Sequence, residues 1–113
     1  MHFSPGQCWY LDARDLTKYV LDGFRHVFIA TDLITGCWIM YPAKDLTTET
    51  VLSLITFLRN TVSSRFGQCV KLLLWDHFST FFADKVKAFS ASVGIELSPF
   101  PPGLKNRNRV EQV

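Results

Sequence analysis

Little in this chain points to a membrane, a secretory route or a covalently stapled scaffold. No apolar run approaches the roughly 20 residues that a spanning helix needs. The longest, Val27 to Ala43, is interrupted by Asp32, Gly36 and Pro42. The N-terminus lacks the basic, apolar and small-residue progression of a signal peptide. Cys8, Cys37 and Cys69 are odd in number and far apart, which gives neither a disulfide framework nor a zinc pattern. Reduced thiols packed in a core, in an intracellular setting, are the expectation. His2, His26 and His77 do not cluster with them in sequence. Internal repeats and low-complexity tracts are absent. Net charge is only +2, so bulk charge does not announce a nucleic-acid partner.

What the chain does have is apolar mass. With 113 residues, 48% hydrophobic and 14% aromatic, it can bury a core and reads as one domain over 1–113. Its charge is also unevenly spread. Lys105, Arg107 and Arg109 fall close together, with no acid among them until Glu111. A short basic cluster is most simply a solvated face.

The order of elements follows from periodicity and punctuation. Gln7 to Ala13 alternates as a strand, with Trp9 and Leu11 on one face and Cys8, Tyr10 and Asp12 on the other. After a turn at Asp22-Gly23, Arg25 to Thr31 and Cys37 to Tyr41 read as two further strands of an antiparallel meander, the third closed by Pro42. Thr47 or Thr48 can cap a helix whose stripe is Val51, Leu54, Ile55, Leu58 and Val62, ended by Gly67. Val70 to Trp75 is almost continuously apolar, as for a strand buried on both faces between helices. Ser79 can cap a second helix, with Phe82, Val86, Phe89 and Val93 as its stripe and Gly94 as its stop. A short strand, Ile95 to Ser98, precedes the prolines Pro99, Pro101 and Pro102, and Arg107 onward opens a last helix. The expectation is an α/β fold, a mixed five-stranded sheet with flanking helices. A ribonuclease H-like arrangement has this order, though pattern alone leaves it one candidate among several.

Carboxylates fall at telling places in that order. Asp12 ends the first strand and Asp76 follows the buried fourth one, so both can emerge at neighbouring strand ends. Glu111 opens the last helix, which can swing it over the same crevice. Three acids with no basic partner nearby repel one another unless a divalent cation neutralises them. Oxygen ligands alone suit Mg²⁺ or Mn²⁺. Two such ions can activate a water or hydroxyl and stabilise the leaving oxygen in phosphodiester chemistry. The bland reading, acids that merely solvate strand ends, fits the same spacing. Asp32 also sits at a strand end, where it could be mistaken for a second ligand, and Asp15, Asp22 and Asp45 are most simply turn or loop acids. His77 is most simply a loop residue.

The local words carry a resemblance. Trp9-Tyr10-Leu11-Asp12 resembles the Trp-x-x-Asp that opens the integrase catalytic core of retroviruses and retrotransposons. Asp32-Leu33-Ile34-Thr35-Gly36 is similar to the turn between that family's second and third strands, which implies a turn-capping role for the Asp32 carboxylate. Trp75-Asp76-His77-Phe78-Ser79 resembles its second Asp with a small polar cap, and Gly94-Ile95 leads through a proline-bearing loop to Val110-Glu111. From Asp76 to Glu111 is 111 − 76 = 35 positions, in keeping with the family's spacing. The likeness spans essentially the whole chain.

That resemblance implies a ribonuclease H-like fold and a Mg²⁺-dependent (or Mn²⁺-dependent) polynucleotidyl transferase with two ions. Asp12 would bridge both metals, Asp76 would hold one and Glu111 the other. The implied reaction is DNA 3′-end processing and strand transfer, the DNA integration and recombination of a transposable element or retrovirus. DNA would be the partner, met by Lys105, Asn106, Arg107, Asn108 and Arg109. A nuclear or viral nucleoprotein setting and a homo-oligomer are also implied. Phe78 departs from the family, standing where a glycine is common, and the proline loop is longer. The family's last helix continues beyond the point matching Val113, so the chain reads as C-terminally truncated. A catalytically inactive ribonuclease H-like remnant that binds DNA or protein stays open, as does a nuclease for RNA–DNA hybrids.

Overall fold

Alternation along Cys8–Asp15 builds the first strand, β1, with Trp9 and Leu11 fully buried on one face and Tyr10 and Asp12 half-buried on the other. The protein is described by a computed structural model covering residues 3–16, 23–75 and 83–99. β2 (His26–Asp32) and β3 (Trp38–Ala43) complete an antiparallel meander with β1, in register Asp12↔Ile29 and Ile29↔Met40. Helix α1 (Thr48–Phe66) then carries the chain to β4 (Leu72–Trp75), which lies parallel to β1 on its other side. Helix α2 (Asp84–Ser92) leads to β5 (Glu96–Pro99), parallel to β4. The five-stranded mixed sheet runs β3-β2-β1-β4-β5. The expected α/β sheet is there, with β1 at its centre.

Each end of α1 has a local cause. Thr47 stays extended and its side chain accepts a hydrogen bond from the Thr50 N–H, while Glu49 sits in the positively polarised first turn. Gly67 terminates the helix in the left-handed region at φ 65°, and its N–H reaches the Ser63 carbonyl. The stripe Val51, Leu54, Ile55, Leu58 and Val62 is wholly buried. Each of these side chains contributes on the order of 2 kcal/mol relative to exposure. They join Trp9, Leu11, Phe28, Ala30, Leu73, Trp75 and α2's Val86 in one cluster.

That single cluster corrects one expectation about β4. Among the described residues both helices pack on the same face of the sheet, so Leu73 and Trp75 are buried but Leu72 and Leu74 are only half-buried. The third strand also runs past Pro42 to Ala43. β3 is an edge strand, and a proline there can turn its donor-less nitrogen away from β2. α2 starts at Asp84 behind Ala83, which makes no side-chain cap; the expected cap Ser79 lies outside the described residues. Only Cys8 is a core thiol; Cys37 and Cys69 are exposed. No helix among the described residues is long and apolar enough to cross a membrane.

Candidate functional site

β1 is anchored before it presents any carboxylate. Trp9 is buried, packs edge-on to Phe66 with ring centroids 5.9 Å apart, and donates from Nε1 to the Gly6 carbonyl at 2.7 Å. Gly6 adopts φ 92°, and a Cβ there would stand 3.0 Å from Phe66 Cβ, so the close approach needs glycine. Its N–H donates to Asp32 Oδ2 at 3.1 Å. The Trp-x-x-Asp word therefore has a physical reading. Three residues along a strand reverse the face, so Trp9 locks the strand into the core while Asp12 emerges opposite.

Asp12 stands across from Ile29 of β2, with its side chain 31% exposed. Arg14, two residues further on the same face, donates from Nε to Asp12 Oδ2 at 2.7 Å. The pair raises the Arg14 guanidinium above its ordinary pKa, chiefly through that hydrogen bond and the carboxylate charge. Here the structure corrects the premise of acids without a basic partner. The signal was available, because residues i and i+2 share a strand face. Arg14 is largely exposed, on a long and flexible stem, so the ion pair is weak enough to open.

The parallel neighbour gives Asp12 its context. β1 and β4 pair Tyr10 with Leu74, and β4 ends at Trp75. Asp12 thus projects beside the end of the adjacent parallel strand, on the face away from both helices. Asp76 is the next residue in sequence after Trp75, but it lies outside the described residues, as do Glu111 and the whole group Lys105, Asn106, Arg107, Asn108 and Arg109. His77, Phe78 and the last-helix expectation lie outside them too. Among the described residues no three His, Cys, Asp or Glu side chains gather as metal ligands. Asp12 is the one described member of the expected triad, and its half-exposed carboxylate suits an oxygen-seeking cation once Arg14 turns away.

Asp32 does what its place in the turn suggested, and more. It is fully buried, accepting from the Ile34 N–H at 3.0 Å and the Thr35 hydroxyl at 2.8 Å as well as from Gly6. The link to Gly6, which ties the N-terminal segment to the β2–β3 turn, was not legible from local sequence. Burial, and then the Asp32 charge, push the Cys8 thiol up to about 11. Cys8 is therefore a poor nucleophile at neutral pH. Asp45 serves the helix start: the Thr50 hydroxyl, the Thr47 N–H and the Thr47 hydroxyl all donate to it and hold its carboxyl below the ordinary range.

Compared with known proteins, the chain matches no family model and no curated sequence. What can be said of its chemistry rests on its own residues.

Proposed function

We propose that this chain is an integrase-like polynucleotidyl transferase core of ribonuclease H-like architecture, acting on DNA with Mg²⁺ or Mn²⁺. One observation carries the reading: the parallel register of the two central strands. Tyr10 pairs with Leu74, Asp12 lies two residues beyond Tyr10, and Asp76 lies two residues beyond Leu74. Equal offsets from a paired position are what two carboxylates sharing one cation at adjacent strand ends require. The sheet order β3-β2-β1-β4-β5, with an antiparallel meander on one side of β1 and parallel strands on the other, supports the same reading.

In this scheme the bound ions would supply activation of the attacking hydroxyl and neutralisation of the leaving oxygen. The chain's own work is positioning. Trp9 and Gly6 fix β1 so that Asp12 meets a cation from a rigid strand. Asp76 and Glu111 would complete the oxygen set, and Arg14 would release Asp12 as the cation arrives. Lys105, Arg107 and Arg109 would meet phosphates, with Asn106 and Asn108 as polar contacts beside them.

Mg²⁺-dependent strand transfer on DNA ends, measured for the chain and for Glu111→Gln, tests this reading. Activity abolished by the substitution supports it, and equal activity in both removes Glu111 from the site.

A second reading is favoured by the Asp12–Arg14 ion pair, which already neutralises the carboxylate. On it, the domain is an inactive relative that binds DNA or protein. Thermal unfolding followed during Mg²⁺ or Mn²⁺ titration separates the two, because a ligand that binds only the folded state raises its stability. A rise abolished by Asp12→Asn favours the metal-dependent core. No rise, or one indifferent to Asp12→Asn, favours the inactive relative.

A further inference from the structure

β1 carries a single base, Arg14, and alternation sets it on the same face as Asp12. Two residues along a strand is roughly 7 Å, which the arginine stem spans. The pair is made through Nε, so it does not use the two terminal nitrogens of the guanidinium. The Arg14 side chain is 66% exposed. Level with it lie Val27 on β2 and Pro42 on β3, and neither side chain can accept a hydrogen bond. On its other side β4 ends at Trp75, below the level of Asp12. Asp12 is thus the one anion that the neighbouring described strands offer on this face.

A guanidinium cannot shed its charge, so whatever takes Asp12 from Arg14 leaves a cation in want of a partner. A divalent ion on Asp12 does this. It claims the carboxylate and repels the guanidinium at short range, while an exposed pair contributes less than about 1 kcal/mol and opens easily. The stem that reaches Asp12 also reaches the oxygens of any group held beside Asp12. The best-matched anion for the fork of an arginine, other than a carboxylate, is a phosphate, which it meets with two parallel N–H donors.

We propose that Arg14 exchanges between Asp12 and a backbone phosphate of the nucleic acid, so that nucleic acid and cation load the Asp12 site together. This rests on the metal-dependent reading of Asp12 given above and adds a regulation to it. In the free protein Arg14 occupies the carboxylate and competes with the ion. A phosphate that engages the guanidinium removes the competitor, and an ion on Asp12 releases the guanidinium to the phosphate. Linkage makes the two effects equal in size. The site therefore holds its ion weakly until a nucleic acid arrives.

Mn²⁺ affinity of the full chain, read from the paramagnetic signal of the free ion, is the test. It is measured with and without a saturating short DNA duplex at fixed salt, against a blank of duplex alone. The parent chain, Arg14→Ala and Asp12→Asn are compared, and circular dichroism confirms that each folds alike. The duplex is expected to raise the parent's Mn²⁺ affinity by a factor about fivefold larger than that for Arg14→Ala. Direct contact between ion and phosphate persists in both chains, so the difference isolates Arg14. A metal-free arm reads the exchange separately. Asp12→Asn frees Arg14 and tightens duplex binding, and adding Arg14→Ala removes most of that gain. Equal enhancement in parent and Arg14→Ala, or a metal-free gain untouched by Arg14→Ala, overturns the inference; Mn²⁺ still lost in Asp12→Asn then leaves the metal-dependent core standing. Mn²⁺ that no chain binds, or that Asp12→Asn binds as well as the parent, removes that core and the inference with it. A duplex that no chain binds also overturns the inference.

Discussion

Arg14 Nε and Asp12 Oδ2 stand 2.7 Å apart on one face of β1, so the carboxylate proposed as a metal ligand already holds a cation. Arg14→Ala is expected to change stability by less than about 1 kcal/mol, as the pair is solvent-exposed. It is also expected to strengthen Mg²⁺ binding, because no guanidinium must be displaced. Isothermal titration of the variant beside the parent chain checks this. Unchanged affinity with a normal fold means that Arg14 does not compete for Asp12.

The fully buried Asp32 carboxylate receives Gly6, Ile34 and Thr35 at the turn that follows β2. Asp32→Ala leaves the buried Gly6 N–H and the part-buried Ile34 N–H without this acceptor and costs about 2 kcal/mol. Asp32→Asn retains one acceptor oxygen and costs less. Urea denaturation measures both, and a loss below about 1 kcal/mol for the alanine variant would show that the turn re-forms without the carboxylate.

Cys8 gives an alkaline signature. Its folded thiol lies near 11 against an ordinary 9.0. A raised folded pKa means that the native state holds the proton more tightly, so the contribution is complete below 9.0 and lost as pH rises toward about 11. Stability is expected to fall across that window, and less steeply in Cys8→Ala. At neutral pH a maleimide should modify exposed Cys37 and Cys69 quickly and leave Cys8 intact, as mass spectrometry would read.

The start of α1 has an acid signature of opposite sign. The Asp45 carboxyl is held low by the Thr50 and Thr47 donors. Its contribution is therefore present at neutral pH and lost as pH falls through and below the ordinary carboxylate range. Thr47→Ala removes the cap itself and costs about 1 kcal/mol. Thermal unfolding at neutral and acid pH should show the Asp45→Asn variant losing less on acidification than the parent chain.

Features governed by short-range alternation were legible in the sequence. Five apolar residues at helical spacing sufficed for α1, and Trp9 opposed to Asp12 sufficed for β1. Where tertiary neighbours decide, reading along the chain fell short. Pro42 suggested a strand end because the sequence does not say that β3 is an edge. The apolar run of β4 suggested cover on both faces, whereas Leu72 and Leu74 remain half-buried. Of the candidate site, Asp12's face was readable from parity. Its pairing with Arg14 depends on a base two residues along the same strand face, which a pattern of acids alone does not include, and the Gly6–Asp32 contact spans too many residues to be seen locally.

The central position of β1 also orders events in time. Its β2 side closes through a short connection, at the microsecond scale of hairpins. Its β4 side must wait for a loop several times longer, which includes all of α1 and costs on the order of 1 kcal/mol more to close. A half-made sheet would thus hold Asp12 against Ile29 before any parallel partner arrives. The strand that carries Asp12 is shaped early, and the parallel side of the sheet beside it is among the last parts of the molecule to form.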